Sequence, residues 1–264
     1  MAEPISDKQV VAVLRPFVAA TAPVLDALRE ADPLGLRAKM AAAEERGESL
    51  AELEQVEPTL RRRLIDGLAA VRVPGSAGWQ RMDAEERTAW WIHRVGRITA
   101  LITAVPGLGG ALADRFPVQD AVGAAAQGLL LCAIAGEHGV TDKADRVRLL
   151  AWVLFDRDVD RALAAGEQPE ERRRIDELTE DLPGKPGGKM SLKALAVTLW
   201  RLGRTLLAIS DELEKRPQGR LIYRMFGVFP VIGAPADYLS ERSALKKAAK
   251  RARRWMQQHA GTQA

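Results

Sequence analysis

Ile98-Thr-Ala-Leu-Ile-Thr-Ala-Val-Pro-Gly-Leu-Gly-Gly-Ala-Leu-Ala113 and Ala121-Val-Gly-Ala-Ala-Ala-Gln-Gly-Leu-Leu-Leu-Cys-Ala-Ile-Ala-Gly136 decide the fold. Each is a run of sixteen residues without a charge, and the polar Asp114-Arg-Phe-Pro-Val-Gln-Asp120 lies between them. Neither run alternates apolar and polar residues at period two, and both are rich in Ala and Leu, so both read as helix. Sixteen residues of ideal helix rise about 24 Å, short of the roughly 30 Å hydrocarbon core of a bilayer. The first run is also broken by Pro106-Gly-Leu-Gly-Gly110. The pair is expected to be a buried helical hairpin, and a hairpin that enters or lies in a membrane is the competing expectation. Burial of Leu101, Ile102, Leu129 and Leu130 separates the two: covered by the protein's own helices, they remove the main support for insertion.

Outward from the hairpin, the rest of the chain also reads as helix. Asp7–Glu30 carries Val10, Val13, Leu14, Phe17, Val18, Val24, Leu25 and Leu28 largely on one side, with Pro16 and Pro23 expected to kink or split it. Further helices are expected over Leu36–Arg46, after a capping box at Ser49-Leu-Ala-Glu52, and over Thr59–Val71. Pro74-Gly-Ser-Ala-Gly78 marks a break and Leu182-Pro-Gly-Lys-Pro-Gly-Gly188 a linker. A helix over Ser191–Lys215 and an apolar-then-basic section over Leu221–Met256 follow. The expected fold is all-α: one large helical domain over 79–256 with a central apolar hairpin and Pro/Gly elbows. A helical extension over 1–75 precedes it, and a tail over 257–264 follows.

Composition agrees. With 47% hydrophobic residues the 264-residue chain can bury a sizeable core, and 28% charged residues argue against disorder and against a polytopic membrane protein. A single cysteine excludes an internal disulfide. Met1-Ala-Glu-Pro has neither the basic nor the apolar region of a secretory signal, so a cytoplasmic protein is expected.

The net charge of +4 is unevenly spread. From Glu241 onward there are seven Lys/Arg and one acid, which leaves 32 basic and 34 acidic residues for the rest. The basicity is therefore a feature of the last helix. Leu245, Ala248, Ala249, Ala252, Trp255 and Met256 fall on one face of it. Lys246, Lys247, Lys250, Arg251, Arg253 and Arg254 occupy much of the remainder and are the candidate contacts to anionic lipid. A basic helix with Trp at its boundary suits anionic headgroups; a solvated face with the apolar stripe packed on the domain is the alternative. Nucleic acid is not an expected partner, because no stacking aromatics interleave the cluster and the remaining chain is slightly acidic.

Several stretches imitate catalytic or metal sites. Gly107-Leu-Gly-Gly-Ala-Leu112 lacks the third glycine and the preceding strand of a dinucleotide loop. Gly184-Lys-Pro-Gly-Gly-Lys-Met-Ser191 has Met190 where a phosphate loop needs Ser or Thr, and reads as linker. His93, His138 and His259 have no neighbour at ligand spacing, and Cys132 sits in an apolar helix with no nearby cation to activate it. Asp156 to Glu167 matches a calcium loop at positions 1, 3, 5 and 12, but Arg161 stands where the turn needs glycine. An acidic helix start capped by Asp156 or Asp158 competes with it. No catalytic residue, cofactor or metal is expected.

Phe229-Pro-Val-Ile-Gly-Ala-Pro-Ala-Asp237 echoes Val105-Pro-Gly-Leu-Gly-Gly-Ala-Leu-Ala-Asp114, each a proline, a glycine-containing apolar turn and then Ala-x-Ala-Asp. Pro106, Gly107, Gly109, Gly110, Pro230 and Gly233 are the candidate shape-setting residues of two elbows. With Ala133-Ile-Ala-Gly-Glu-His-Gly139 and Asp145-Arg-Val-Arg-Leu-Leu150, they resemble the EcsC family of bacterial proteins in order and approximate spacing, over about a third of the chain. Ala234 replaces the second glycine of that family's C-terminal elbow, and Pro235 follows it. The resemblance implies a helical, membrane-associated accessory protein at the cytoplasmic face, without established enzymatic activity, whose partner is an anionic membrane surface or a membrane protein. A soluble all-α interaction scaffold is the alternative. An enzyme would require Asp114, Asp120, Asp237 and His93 to converge in one cavity.

Overall fold

A computed structural model describes residues 5–30, 74, 77–104, 118–166, 169–182, 192–214 and 234–259. The described residues are helical with no strand among them, so the fold is all-α. The helices are α1 (Asp7–Glu30), α2 (Ala77–Gln80), α3 (Ala84–Ala104), α4 (Val118–Glu137), α5 (Lys143–Phe155), α6 (Arg161–Ala165), α7 (Glu171–Thr179), α8 (Leu192–Glu214) and α9 (Ala234–His259).

The second uncharged run is the centre of the molecule. It lies within α4, which is packed on five sides by α8, α3, α9, α5 and α1. A helix enclosed this way needs no polar face, and from Ala121 to Ala135 every residue except Gly123 is buried. Leu129 and Leu130 are 1% and 0% exposed, so the protein's own helices cover them and insertion of this run loses its main support. The side chains of Leu101 and Ile102 lie outside the described residues. By length and composition alone, Asp7–Arg29 and Asp120–Glu137 could each cross a membrane, yet 61% and 78% of their apolar windows are buried within the fold.

The hairpin expectation holds in the described part. Trp91 Nε1 donates to Glu137 (3.0 Å), and the Thr88 hydroxyl meets His138 (3.4 Å), so the start of α3 lies beside the end of α4 and the two run antiparallel. The first elbow, with Pro106, Gly107, Gly109 and Gly110, lies outside the described residues, as do Pro230 and Gly233 of the second. At the second, α9 starts at Ala234 with Pro235 in its first turn, where a missing N–H costs nothing. Gly139, the glycine of the Ala-Ile-Ala-x-x-x-Gly pattern, ends α4 at φ 81°. Val140 N–H bonds Ala135 O and Gly139 N–H bonds Gly136 O, so the last carbonyls of the core helix are satisfied by a Schellman motif.

Of the extension expected over 1–75, the described part is chiefly α1, which packs against α5, α7, α8, α4 and α6 and contributes Val10, Leu14, Phe17, Val24 and Leu28 to the core. The helices expected over 36–46 and 59–71 lie outside the described residues. Of the kink or split expected at Pro16 and Pro23, the split does not occur: α1 is continuous over Asp7–Glu30. Pro16 removes the donor for Ala12 O, and Arg174 Nη1 of α7 supplies one at 3.3 Å. The same device recurs elsewhere: Arg94 donates to Leu28 O at the end of α1, and Arg148 to Val159 O.

Candidate functional site

Helix α9 lies on α4 between α3 and α5. Its apolar stripe faces inward: Leu245, Ala248, Ala249, Ala252, Trp255 and Met256 are all buried. Trp255, expected at the boundary, is 2% exposed, stacked on His259 at 4.2 Å with the Arg148 guanidinium over its ring. The stripe from Leu245 to Met256 is thus spent on the domain and is not available to sink into a bilayer.

The basic residues divide into two sets. Lys246, Lys247, Lys250 and Arg254 are exposed, and no acid among the described residues pairs with them. At 3.6 residues per turn they fill an arc of about 100° and a length of about 12 Å. Arg251 and Arg253 stand on either edge of that arc and are engaged. Arg251 donates to Asp156 Oδ1 (3.0 Å) and to Trp152 O (3.2 Å), and covers the Trp152 ring. Arg253 pairs with Glu85 in the first turn of α3. The buried stripe sets the rotation of α9, so the free strip faces outward between these two pairs. Sequence reasoning grouped all six cations because partners 95 and 168 residues away in sequence leave no local signal.

Comparison with protein-family models, with curated proteins and with solved structures finds no match for this chain.

The calcium-like loop is committed elsewhere. Asp156 ends α5 at φ 55° and holds Arg251, while Arg161 pairs with Asp142 and Asp145. Asp160, rather than Asp156 or Asp158, is the helix cap, accepting from the N–H groups of Ala162 and Leu163. Among the described residues no group of His, Cys, Asp and Glu is arranged to hold a metal ion. Of the four residues whose convergence would mark an enzyme, Asp114 and the side chain of Asp237 lie outside the described residues. His93 is exposed on α3, and burial raises the Asp120 carboxyl above its ordinary range. Cys132 is buried and its thiol is pushed up to about 11. Arg146, a cation the sequence did not place there, and a hydrogen bond with Thr21 pull the other way, and desolvation outweighs both.

Two further features belong to no expectation. Glu137, its side chain 8% exposed at the end of α4, gathers Trp91 Nε1, Arg29 (3.7 Å) and Arg87 (3.6 Å), which ties α1, α3 and α4 together. An open groove of about 650 Å³ lies between α1, α7 and α8, lined by Val13, Pro16, Leu178 and Trp200 with Arg174, Arg201 and Arg204. Arg201 is paired to Glu180 and Asp181, whereas Arg204 lies over Trp200 at 4.7 Å.

Proposed function

We propose that this is a non-enzymatic, EcsC-like helical accessory protein that docks peripherally on an anionic membrane at its cytoplasmic face, with α4 retained as its core. One observation carries this: Lys246, Lys247, Lys250 and Arg254 form an exposed strip without acid partners among the described residues, on a stretch of helix whose apolar stripe, Leu245 to Met256, is buried. Such a strip attracts anionic headgroups electrostatically, at about 1 kcal/mol per basic residue near the surface, and the attraction fades with salt.

Co-sedimentation with anionic and neutral vesicles at low and high salt tests the proposal. Binding should need anionic lipid and weaken with salt. Reversing the strip with K246E, K247E, K250E and R254E together should abolish it while the thermal melt stays close to that of the parent. Binding that survives either high salt or the reversal would refute docking through α9.

The burial of α4 favours a second reading, a soluble interaction scaffold. Absence of binding to every vesicle would leave that as the better account.

A further inference from the structure

Glu85 and Asp156, we infer, set how anionic a surface must be before α9 engages it fully, by withholding Arg253 and Arg251 from the strip; this rests on the docking reading above. On the helix, Arg253 lies about 20° beyond Lys246 at one edge of the free arc, and Arg251 about 40° beyond Lys247 at the other. Both positions therefore face the same side as the strip. Their side chains are 35% and 28% exposed, and their partners Glu85 and Asp156 are more open still at 57% and 79%. A pair with so much water around it is weak, so a dense array of phosphates can compete for the arginine. Guanidinium also matches phosphate oxygens in a two-pronged geometry that lysine lacks.

The two latches are unequal. Arg253 is held by Glu85, whereas Arg251 also donates to the Trp152 carbonyl and covers its ring. Arg253 is the first to release as surface charge rises. On a sparsely charged surface the helix presents four cations; on a dense one, five and then six. The paired acids keep the protein off weakly anionic surfaces.

The test uses the full chain and phosphatidylcholine vesicles with rising fractions of phosphatidylserine, comparing the parent with Glu85→Gln, Asp156→Asn and the double variant. Asparagine keeps the left-handed backbone at position 156, where φ is 55°. Asp158→Asn is the control: it removes an equal charge two residues away at an exposed position. Each latch variant should tighten binding about fivefold at low phosphatidylserine, the equivalent of about 1 kcal/mol per basic residue. The double variant should need the least anionic lipid, and the four proteins should converge at high phosphatidylserine. Thermal melts confirm that all are folded. If the parent binds but the latch variants bind equally or more weakly, or if Asp158→Asn matches them, the latch is refuted and docking stands. If the parent binds no anionic vesicle, both fall.

Discussion

Replacing Gly203 by alanine tests the packing of the whole bundle. Gly203 lies on α8 against the first turns of α4, and a Cβ built on it would stand 1.7 Å from the carbonyl oxygen of Ala121, 2.3 Å from its carbonyl carbon and 2.8 Å from its Cα. Carbon and oxygen normally approach no closer than about 3.3 Å, so the two backbones must part locally by roughly 1.5 Å. No rotamer change can absorb this, because the obstructing atoms are main chain. Nor can α4 recede, with α1, α3, α5 and α9 around it. Overpacking of this kind costs about 3 kcal/mol or more, against a gain of about 1 kcal/mol from placing alanine in a helix. The net loss is at least about 2 kcal/mol, which lowers Tm by roughly 4–8 °C for a chain of this size. Gly123 on α4 is the internal standard, since a Cβ there meets nothing within 4 Å; Gly123→Ala should stabilise by about 0.5–1 kcal/mol. Calorimetric or circular-dichroism melts of the two variants should move in opposite directions. A Gly203→Ala protein that melts at or above the parent would refute the close approach of α8 and α4.

Three further outcomes are expected. Pro16→Ala restores a donor to Ala12 O, so Arg174→Ala should cost about 1 kcal/mol in the parent and little in the Pro16→Ala background, as read by a double-mutant cycle in urea. Glu137→Gln takes the carboxylate from Arg87 and leaves Arg29 with Asp26 alone, while sparing the Trp91 contact, and should cost about 1 kcal/mol by urea midpoint. Cys132 should resist iodoacetamide at pH 8 until the protein is unfolded. Because its folded pKa of about 11 lies above the unfolded value, the unfolded chain alone ionises as pH passes roughly 9. Its contribution to stability is therefore level below that pH and falls between there and about 11; a melting profile in which its replacement by alanine leaves this alkaline loss unchanged would contradict the assignment.

The helices were legible because their signals are local. The apolar spacing of Val10, Leu14, Phe17 and Leu28 placed α1, and the helix expected over Ser191–Lys215 is observed as Leu192–Glu214. The uniform apolarity of Ala121–Gly136 suited core or membrane, its length favoured core, and the five neighbouring helices supply the cover that the sequence could not name. Continuity through Pro16 depended on Arg174, 158 positions away. The division of the six cations depended on Glu85 and Asp156 in the same way. Gly203 carried no warning, since one glycine in a helical pattern does not say which backbone it must admit. The burial of Trp255 fits the alternative in which the apolar stripe packs on the domain; nothing local separates a boundary tryptophan from a core one.

The enclosure of α4 also dictates an order of events at the ribosome. Three of its covers, α5, α8 and α9, are translated after it, and 122 residues separate Glu137 from His259. At ordinary synthesis rates of about 5–20 residues per second, the uncharged segment waits roughly 6–25 s before its last cover emerges. In that interval its exposed leucines are a target for chaperones, and newly made chains should depend on such help far more than the finished protein does when it refolds.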